Sequence, residues 1–203
     1  FKANKERYEE EVLEPALNFI RGFAPSLRKL SPYFVADARP SGGSLFRIYR
    51  DVRFSRDKSP YKTHVGIQFR HKQAKDVHAP GFYLHLEPGN VFAGVGMWRP
   101  DSTSVAKIRD AIADDPKGWK RAAHGDPFSA LYELDGDSLK RPPGGYDGNH
   151  PFVEDLKRKD FIGVASIAQR SVTSNGFIRD YAHMCRAARP FMRFLCESVG
   201  VPF

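Results

Sequence analysis

Four short β-strand patterns follow one another in the first half of the chain, separated only by turn residues. They cover 44–50, 65–70, 82–87 and 91–98, and Pro88-Gly89-Asn90 is a predicted hairpin turn between the last two. A parallel sheet needs a long crossover, usually a helix, between successive strands. Because these strands have no helices between them, the sequence predicts an α+β fold with a largely antiparallel sheet.

Amphipathic patterns predict long helices at both ends of the chain, over 4–30 and 173–199, because apolar residues recur there at helical spacing. We expect Pro15 and Pro25 to kink the first helix and Pro190 to bend the second. Shorter elements are predicted between them: helices over 102–113 and 117–123, and a strand over 161–168. The N-terminal and C-terminal helices are therefore expected to cover one face of the sheet.

The length of 203 residues and a hydrophobic content of 41% predict one α+β domain over residues 1–203. Phe1 already lies in a helix start, so we expect the natural N-terminus to precede it. No apolar run approaches the roughly 20 residues that a membrane helix needs. Cys185 and Cys196 are eleven positions apart in one predicted helix, about 16 Å along its axis, which is too far for a disulfide. Two free thiols favour a cytoplasmic location.

The chain carries a formal net charge of +8, and the excess is concentrated in one segment. Residues 47–63 contain six basic side chains (Arg47, Arg50, Arg53, Arg56, Lys58, Lys62) and two acidic ones (Asp51, Asp57). Arginines in a fixed array suit a carboxylate or a phosphate, because the guanidinium group donates two parallel hydrogen bonds. We therefore predict a pocket for a small anionic ligand here, lined by Arg47, Tyr49, Arg50, Asp51, Arg53, Asp57, Lys58, Tyr61 and Lys62.

Within this pocket, Arg47, Arg50 and Arg53 would bind the anion, and Lys58 and Tyr61 would close the rim. Asp51 and Asp57 would orient the arginines. Strand alternation directs a set of polar side chains to one face of the sheet: Arg47, Tyr49, Gln68, Arg70, Tyr83, His85 and Glu87. This set predicts a polar cleft with the 51–63 loop along its rim.

Three alternatives to the binding pocket remain open from the residues alone. The first is an enzyme acting on an anionic substrate, with His85 as general acid or base and Glu87 or Tyr83 holding its tautomer. The second is a purely structural segment whose arginines and aspartates pair with one another. The third, less favoured, is a basic nucleic-acid-binding module, although no RNA- or DNA-binding motif is recognisable. Oligomeric state is not predicted, and no membrane partner is expected.

Four histidines recur every seven positions, at His64, His71, His78 and His85. Pro80 and Gly81 exclude a continuous helix there, and a step of seven along a strand changes face. We therefore predict no metal site. No phosphate-binding loop or dinucleotide fingerprint occurs, so no cofactor is predicted.

The basic segment resembles the signature of a bacterial and fungal family of unknown function, Arg-x-x-Arg-Asp-x-Arg-Phe followed by Asp-Lys-x-x-Tyr. The matching positions are Arg47, Arg50, Asp51, Arg53, Phe54, Asp57, Lys58 and Tyr61. Further similarities lie near the N-terminus, in Gly94-x-Gly96-x-Trp98-x-Pro100, and in His150-Pro151 with Leu156-Lys157-x-Lys159. The resemblance spans nearly the whole chain and implies a shared fold, without implying an activity.

Overall fold

The computed structural model describes residues 4–50, 53, 58–73 and 78–203. Its helices are α1 (Lys5–Tyr8), α2 (Glu14–Leu30), α3 (Ser102–Asp114), α4 (Pro116–Ala123), α5 (Val153–Leu156), α6 (Gln169–Val172), α7 (Phe177–Ala187) and α8 (Arg189–Val199). A π-helical turn, Glu9–Leu13, joins α1 to α2. The strands are β1 (Val65–Arg70), β2 (Gly81–Glu87), β3 (Asn90–Met97), β4 (Glu133–Asp135) and β5 (Phe161–Ser166).

The strands form one five-stranded sheet in the order β1-β2-β3-β5-β4, and every pairing is antiparallel. A tight turn at Pro88-Gly89 joins β2 to β3, with Gly89 at φ +78°. This left-handed conformation is one that glycine adopts without strain. The sheet and the helices that flank it confirm the predicted α+β class.

The predicted strand over 44–50 is wrong as a regular strand. Among the described residues, this segment makes only isolated bridges, Leu45 to Ile67 and Tyr49 to Tyr61. Leu45 is the residue of this segment that packs into the hydrophobic core, whereas Phe46 and Ile48 are only partly buried. The segment therefore follows β1 at its start and then leaves the sheet.

The N-terminal helix runs through Pro15 without a break. Pro15 has no amide hydrogen and its ring would collide with the carbonyl four residues earlier. The wider π-helical turn lies immediately before Pro15. Its hydrogen bonds do not follow the i to i−4 pattern of an α-helix, so the collision with that carbonyl is avoided. Pro25 also lies inside α2.

The C-terminal helix, in contrast, is divided into α7 and α8 at Ala188. Pro190 occupies the first turn of α8, where its missing amide hydrogen costs no bond. Strand β4 was not predicted, because a three-residue strand has too little periodicity to recognise.

The core lies between the sheet and the helical layer. Phe23 of α2 packs on Phe69 of β1, with ring centroids 4.8 Å apart, and on Tyr181 of α7 at 4.9 Å. Phe191 of α8 stacks on Phe128 at 4.6 Å. Helices α7 and α8 also contact β3. The Phe46 side chain lies on the opposite face of the sheet, beside Gly66 and Tyr83.

The cysteines and the helix lengths bear on two further predictions. Cys185 and Cys196 are free and buried, as predicted. Within the described residues, every helix is too short or too polar to traverse a lipid bilayer.

Candidate functional site

Residues 46–50 and 60–62 form a short two-stranded arm beside β1. Phe46 of this arm lies next to Tyr83 of the sheet. The first half of the arm begins beside β1, where the Phe46 amide donates to the Gly66 carbonyl at 2.9 Å. The halves are then joined by two backbone hydrogen bonds, from Lys62 to Ile48 at 2.8 Å and from Arg50 to Pro60 at 3.0 Å. The arm therefore returns the chain to β1 with Lys62, Thr63 and His64 at its edge.

A chain of side-chain hydrogen bonds lies on the face of the sheet beside this arm. The Tyr83 hydroxyl donates to His85 Nδ1 at 3.0 Å, and His85 Nε2 approaches Glu87 Oε2 at 3.4 Å. Thr63 donates to the other carboxylate oxygen of Glu87 at 2.6 Å, and Asn90 Nδ2 approaches Glu87 Oε2 at 3.4 Å. Both nitrogens of the His85 ring are thus engaged, in the tautomer that carries its proton on Nε2.

The electrostatics of this chain keep Tyr83 neutral and Glu87 charged. Burial, with the nearby Glu87 charge, raises the pKa of Tyr83 to about 12. Hydrogen bonds from Thr63, His85 and Asn90 lower the pKa of Glu87. The tyrosine therefore remains a donor, and the carboxylate is already occupied by three neighbours.

Two imidazoles meet at this point. The rings of His64 and His85 have centroids 4.5 Å apart, and the other neighbour of His85 is Phe92, stacked at 4.6 Å with an interplanar angle of 12°. His85 is 8% exposed, whereas His64 is only partly buried. His64 is thus the imidazole that faces the arm.

Basic side chains lie beside His64, and their charges affect its titration. Burial and the neighbouring Arg47 charge lower the pKa of Lys62. The pKa of His64 is also lowered, first by burial and then by His85, Lys62 and Arg50, against an opposing effect of Glu87. Lys62 Nζ lies over the Phe46 ring, 5.4 Å from its centroid. Within the described part of the chain, the side chains of Arg47, Lys62 and His64 make no hydrogen bond or ion pair.

Glycines make the room in which Tyr83 lies. Gly94 is directly opposite Tyr83 in the β2–β3 pairing, and Gly66 is opposite His85 in the β1–β2 pairing. A Cβ atom on Gly66 would lie 2.8 Å from the Tyr83 hydroxyl and 3.0 Å from the Phe46 ring. The absence of a side chain at Gly66 thus allows the Tyr83–His85 hydrogen bond beneath the arm.

The predicted site residues are brought together only in part. Arg47 and Arg50 both act electrostatically on the Lys62–His64 stretch, and Tyr49 and Tyr61 face each other across the arm with ring centroids 5.6 Å apart. Arg53 and Lys58 are exposed. Asp51 and Asp57 lie outside the described residues, so their roles stay predictions. Arg70 lies at another hollow, near Asp37.

Sequence reasoning missed His64 and Phe92 as neighbours of His85, and Thr63 and Asn90 as hydrogen-bond donors to Glu87. The relevant signal was antiparallel pairing rather than the spacing of seven. In the β1–β2 register Gly66 faces His85, so the residue two positions before Gly66 lies diagonally next to His85 on the same face.

The other two histidines of that series are elsewhere. His71 Nε2 donates to the Pro202 carbonyl at 2.8 Å, and His78 Nδ1 is 2.9 Å from the Trp98 carbonyl oxygen. In the ranges that the structure describes, no group of three or more histidine, cysteine, aspartate or glutamate side chains is arranged to hold a metal ion.

Comparison with known proteins gives one match. The model of a family described as a conserved hypothetical protein, DUF2461, matches residues 1–194. No curated protein and no solved structure matches the chain. The resemblance to a family of unknown function is therefore confirmed, and it covers nearly the whole chain.

Proposed function

Since the chain belongs to the DUF2461 family of conserved hypothetical proteins, whose description names no activity, we propose a function from the geometry of the site itself. The protein binds a small ligand that carries a phosphate or carboxylate group, held by the basic segment Arg47 to Lys62 and by His64. Its two free thiols fit a reducing compartment, and we assign this function to the cytoplasm.

One observation carries this proposal: Arg47, Lys62 and His64 lie near one another, and in the described part of the chain none of the three pairs with a carboxylate. The pKa values of Lys62 and His64 are both lowered, partly by neighbouring positive charge. Glu87, the nearby acid, already accepts hydrogen bonds from Thr63 and Asn90. An arriving anion would relieve the repulsion among the cations, which a structural ion-pair staple would have relieved already.

The remaining predicted residues support the proposal as a rim. Arg50 acts on His64 electrostatically, and Arg53 and Lys58 add exposed positive charge near the arm. The rings of Tyr49 and Tyr61 face each other at its paired section. In the proposal, Asp51 and Asp57 hold the guanidinium groups in position.

Isothermal titration calorimetry with inorganic phosphate and a panel of phosphorylated and carboxylated metabolites tests the proposal. We expect saturable binding that weakens as salt is added. Arg47→Gln and Lys62→Gln should each weaken it by about tenfold or more, because each removes a charge-assisted hydrogen bond worth about 1.5 to 3 kcal/mol.

The matched control is Lys29→Gln, which removes an exposed positive charge from the last turn of α2. It should change the affinity less than about twofold. Equal losses in Lys29→Gln and Lys62→Gln would reduce the effect to net charge and contradict the proposal. Absence of binding across the whole panel would contradict it as well.

A catalytic variant of the same function is favoured by the hydrogen-bond chain through His85. Tyr83 and Glu87 hold that ring in one orientation, as a general acid or base requires. To exchange a proton with a bound substrate, however, His85 would have to release one of these two partners. Incubating the wild type and His85→Asn with every ligand that binds, and following product by ³¹P or ¹H NMR, separates catalysis from binding alone.

A further inference from the structure

A second hollow lies at the other end of the sheet, where β3 leads into α3. Its volume is about 530 Å³, and it shares no lining residue with the arm. This volume lies within the range of small-molecule pockets. Its wall combines the basic side chains of Arg99, Arg109 and Lys159 with the apolar ones of Pro100, Val105 and Leu139.

The basic side chains of this hollow are not neutralised by the buried acid beside them. Asp160, 3% exposed, directs both carboxylate oxygens to backbone amides, those of Arg99 at 2.6 Å and Asp137 at 2.8 Å. In the described residues, Arg109 donates only to the Arg158 carbonyl, at 2.9 Å, and its buried Nε has no partner. The side chain of Lys159 makes no hydrogen bond or ion pair. The lining therefore carries three basic side chains against two carboxylates, and the Asp160 carboxylate is already bound by backbone amides.

The desolvation of Arg109 makes this imbalance unfavourable. Partial burial lowers the pKa of the Arg109 guanidinium, although arginine stays charged at any ordinary pH. A partly buried cation that bonds only to a neutral carbonyl has lost hydration without gaining an opposite charge. An anion in the hollow would supply that charge.

The backbone at the mouth of the hollow is held in an unusual conformation. Arg99 has φ +48°, which residues with a side chain adopt uncommonly. The short hydrogen bond from its amide to Asp160 fixes this conformation, and its guanidinium carbon lies 4.8 Å from the centroid of the Trp98 ring. Strain of this kind collects at ligand sites, where surrounding structure maintains it. The buried carboxylate of Asp160 thus positions Arg99 through its backbone amide and does not pair with its guanidinium group.

We propose that this hollow binds a small organic anion: a carboxylate or phosphate head contacting Arg99, Arg109 and Lys159, on a short apolar body contacting Pro100, Val105 and Leu139. The apolar wall distinguishes this ligand from a bare inorganic anion. The site is separate from the one on the arm, and either can exist without the other.

The proposal is tested by NMR, through the indole resonance of Trp98. Trp98 is 48% exposed and contacts Arg99, whereas Trp119, the other tryptophan, is fully buried. Titration with butyl phosphate or butyrate should move the Trp98 signal saturably, and the Trp98→Phe variant identifies that signal. Butyl phosphate should bind about tenfold more tightly than inorganic phosphate, because part of its alkyl chain is buried. The stronger of the two butyl ligands identifies the preferred head group.

Two variants decide whether the hollow is the site. Lys159→Gln should weaken butyl phosphate about fivefold or more, whereas Lys107→Gln, on the exposed side of α3, should weaken it less than about twofold. Lys62→Gln should leave this titration unchanged, which keeps the result independent of the arm. No saturable shift with either butyl ligand, or equal effects of Lys159→Gln and Lys107→Gln, would overturn the proposal.

Discussion

At the scale of single residues, the clearest structural role belongs to a buried carboxylate. Asp155, 4% exposed, accepts hydrogen bonds from Trp119 Nε1 at 2.8 Å, His124 Nε2 at 2.6 Å and Arg158 Nε at 3.0 Å. All three of these partners are donors, so its acceptor capacity is used within the fold. A buried acid of this kind joins elements together and leaves no open position for a ligand.

We therefore predict that Asp155→Ala lowers the free energy of unfolding by about 2 kcal/mol or more, because it leaves the buried Trp119 Nε1 without a partner and removes the carboxylate that Arg158 and His124 contact. Urea unfolding followed by circular dichroism measures this loss. Asp114→Ala, which removes an exposed carboxylate at the end of α3, should change stability by less than about 0.5 kcal/mol. A similar small effect of both substitutions would show that Asp155 has no such role.

The contacts of individual residues were the part of the structure that the sequence predicted least well. The composition of the basic segment could be recognised directly, and so could His85. The neighbourhood of His85 and His64 could not, because it depends on the strand register and on the return of the arm. A register shifted by one residue would have sent one of these rings to the opposite face.

At the scale of elements, prediction succeeded where periodicity was long and failed where tertiary contacts decided. The alternation in β1, β2 and β3 matches the strands found, and the patterns of α3 and α4 match those helices. Residues 44–50 alternate as well, but their partners are isolated bridges. The predicted helix over 173–199 is divided at Ala188. Pro190 indicated a bend there, but the sequence did not show that the helix would separate into α7 and α8.

Close contact between β3 and β5 gives a prediction at this scale. Gly96 has φ +114°, and a Cβ atom there would lie 2.1 Å from the Phe161 carbonyl oxygen. Gly96→Ala should therefore cost about 3 kcal/mol or more, or prevent folding, because both the backbone strain and the collision act against it. In thermal unfolding, Gly148→Ala is the control, since a Cβ atom there would meet no atom within 4 Å. If Gly96→Ala unfolded at the temperature of the wild type, the proposed close approach would be wrong.

At the scale of the whole molecule, the helices occupy one face of an antiparallel sheet and the arm occupies part of the other. Part of this division follows from the sequence, because β1, β2 and β3 are consecutive and α2, α7 and α8 lie towards the two ends of the chain, whereas β4 and β5 follow α3 and α4. The expectation of a single domain over residues 1–203 stays a prediction. The net charge of +8 and its concentration in residues 47–63 led to the prediction of an anionic ligand there, whereas the basic side chains of the second hollow, Arg99, Arg109 and Lys159, come together only in the structure.

His64, beside Lys62, predicts how the stability of the protein depends on pH. Protonating His64 costs more in the folded protein than in the unfolded chain, because its folded pKa is lowered. The stability contributed by its neutral form is therefore complete above about pH 6.5 and is lost as the pH falls below that value and through the lower folded pKa. A bound anion should reverse this effect by favouring the imidazolium.

The titration of His64, followed by the NMR signal of its Cε1 proton, tests the central claim most directly. Inorganic phosphate is compared with chloride at equal ionic strength, and His64→Gln identifies the signal. We predict a pKa below the ordinary 6.5 in chloride and a higher pKa in phosphate, while His183, exposed on α7, keeps the same resonance positions in both salts. A His64 pKa that is the same in saturating phosphate and in chloride would contradict an anion site beside Arg47 and Lys62.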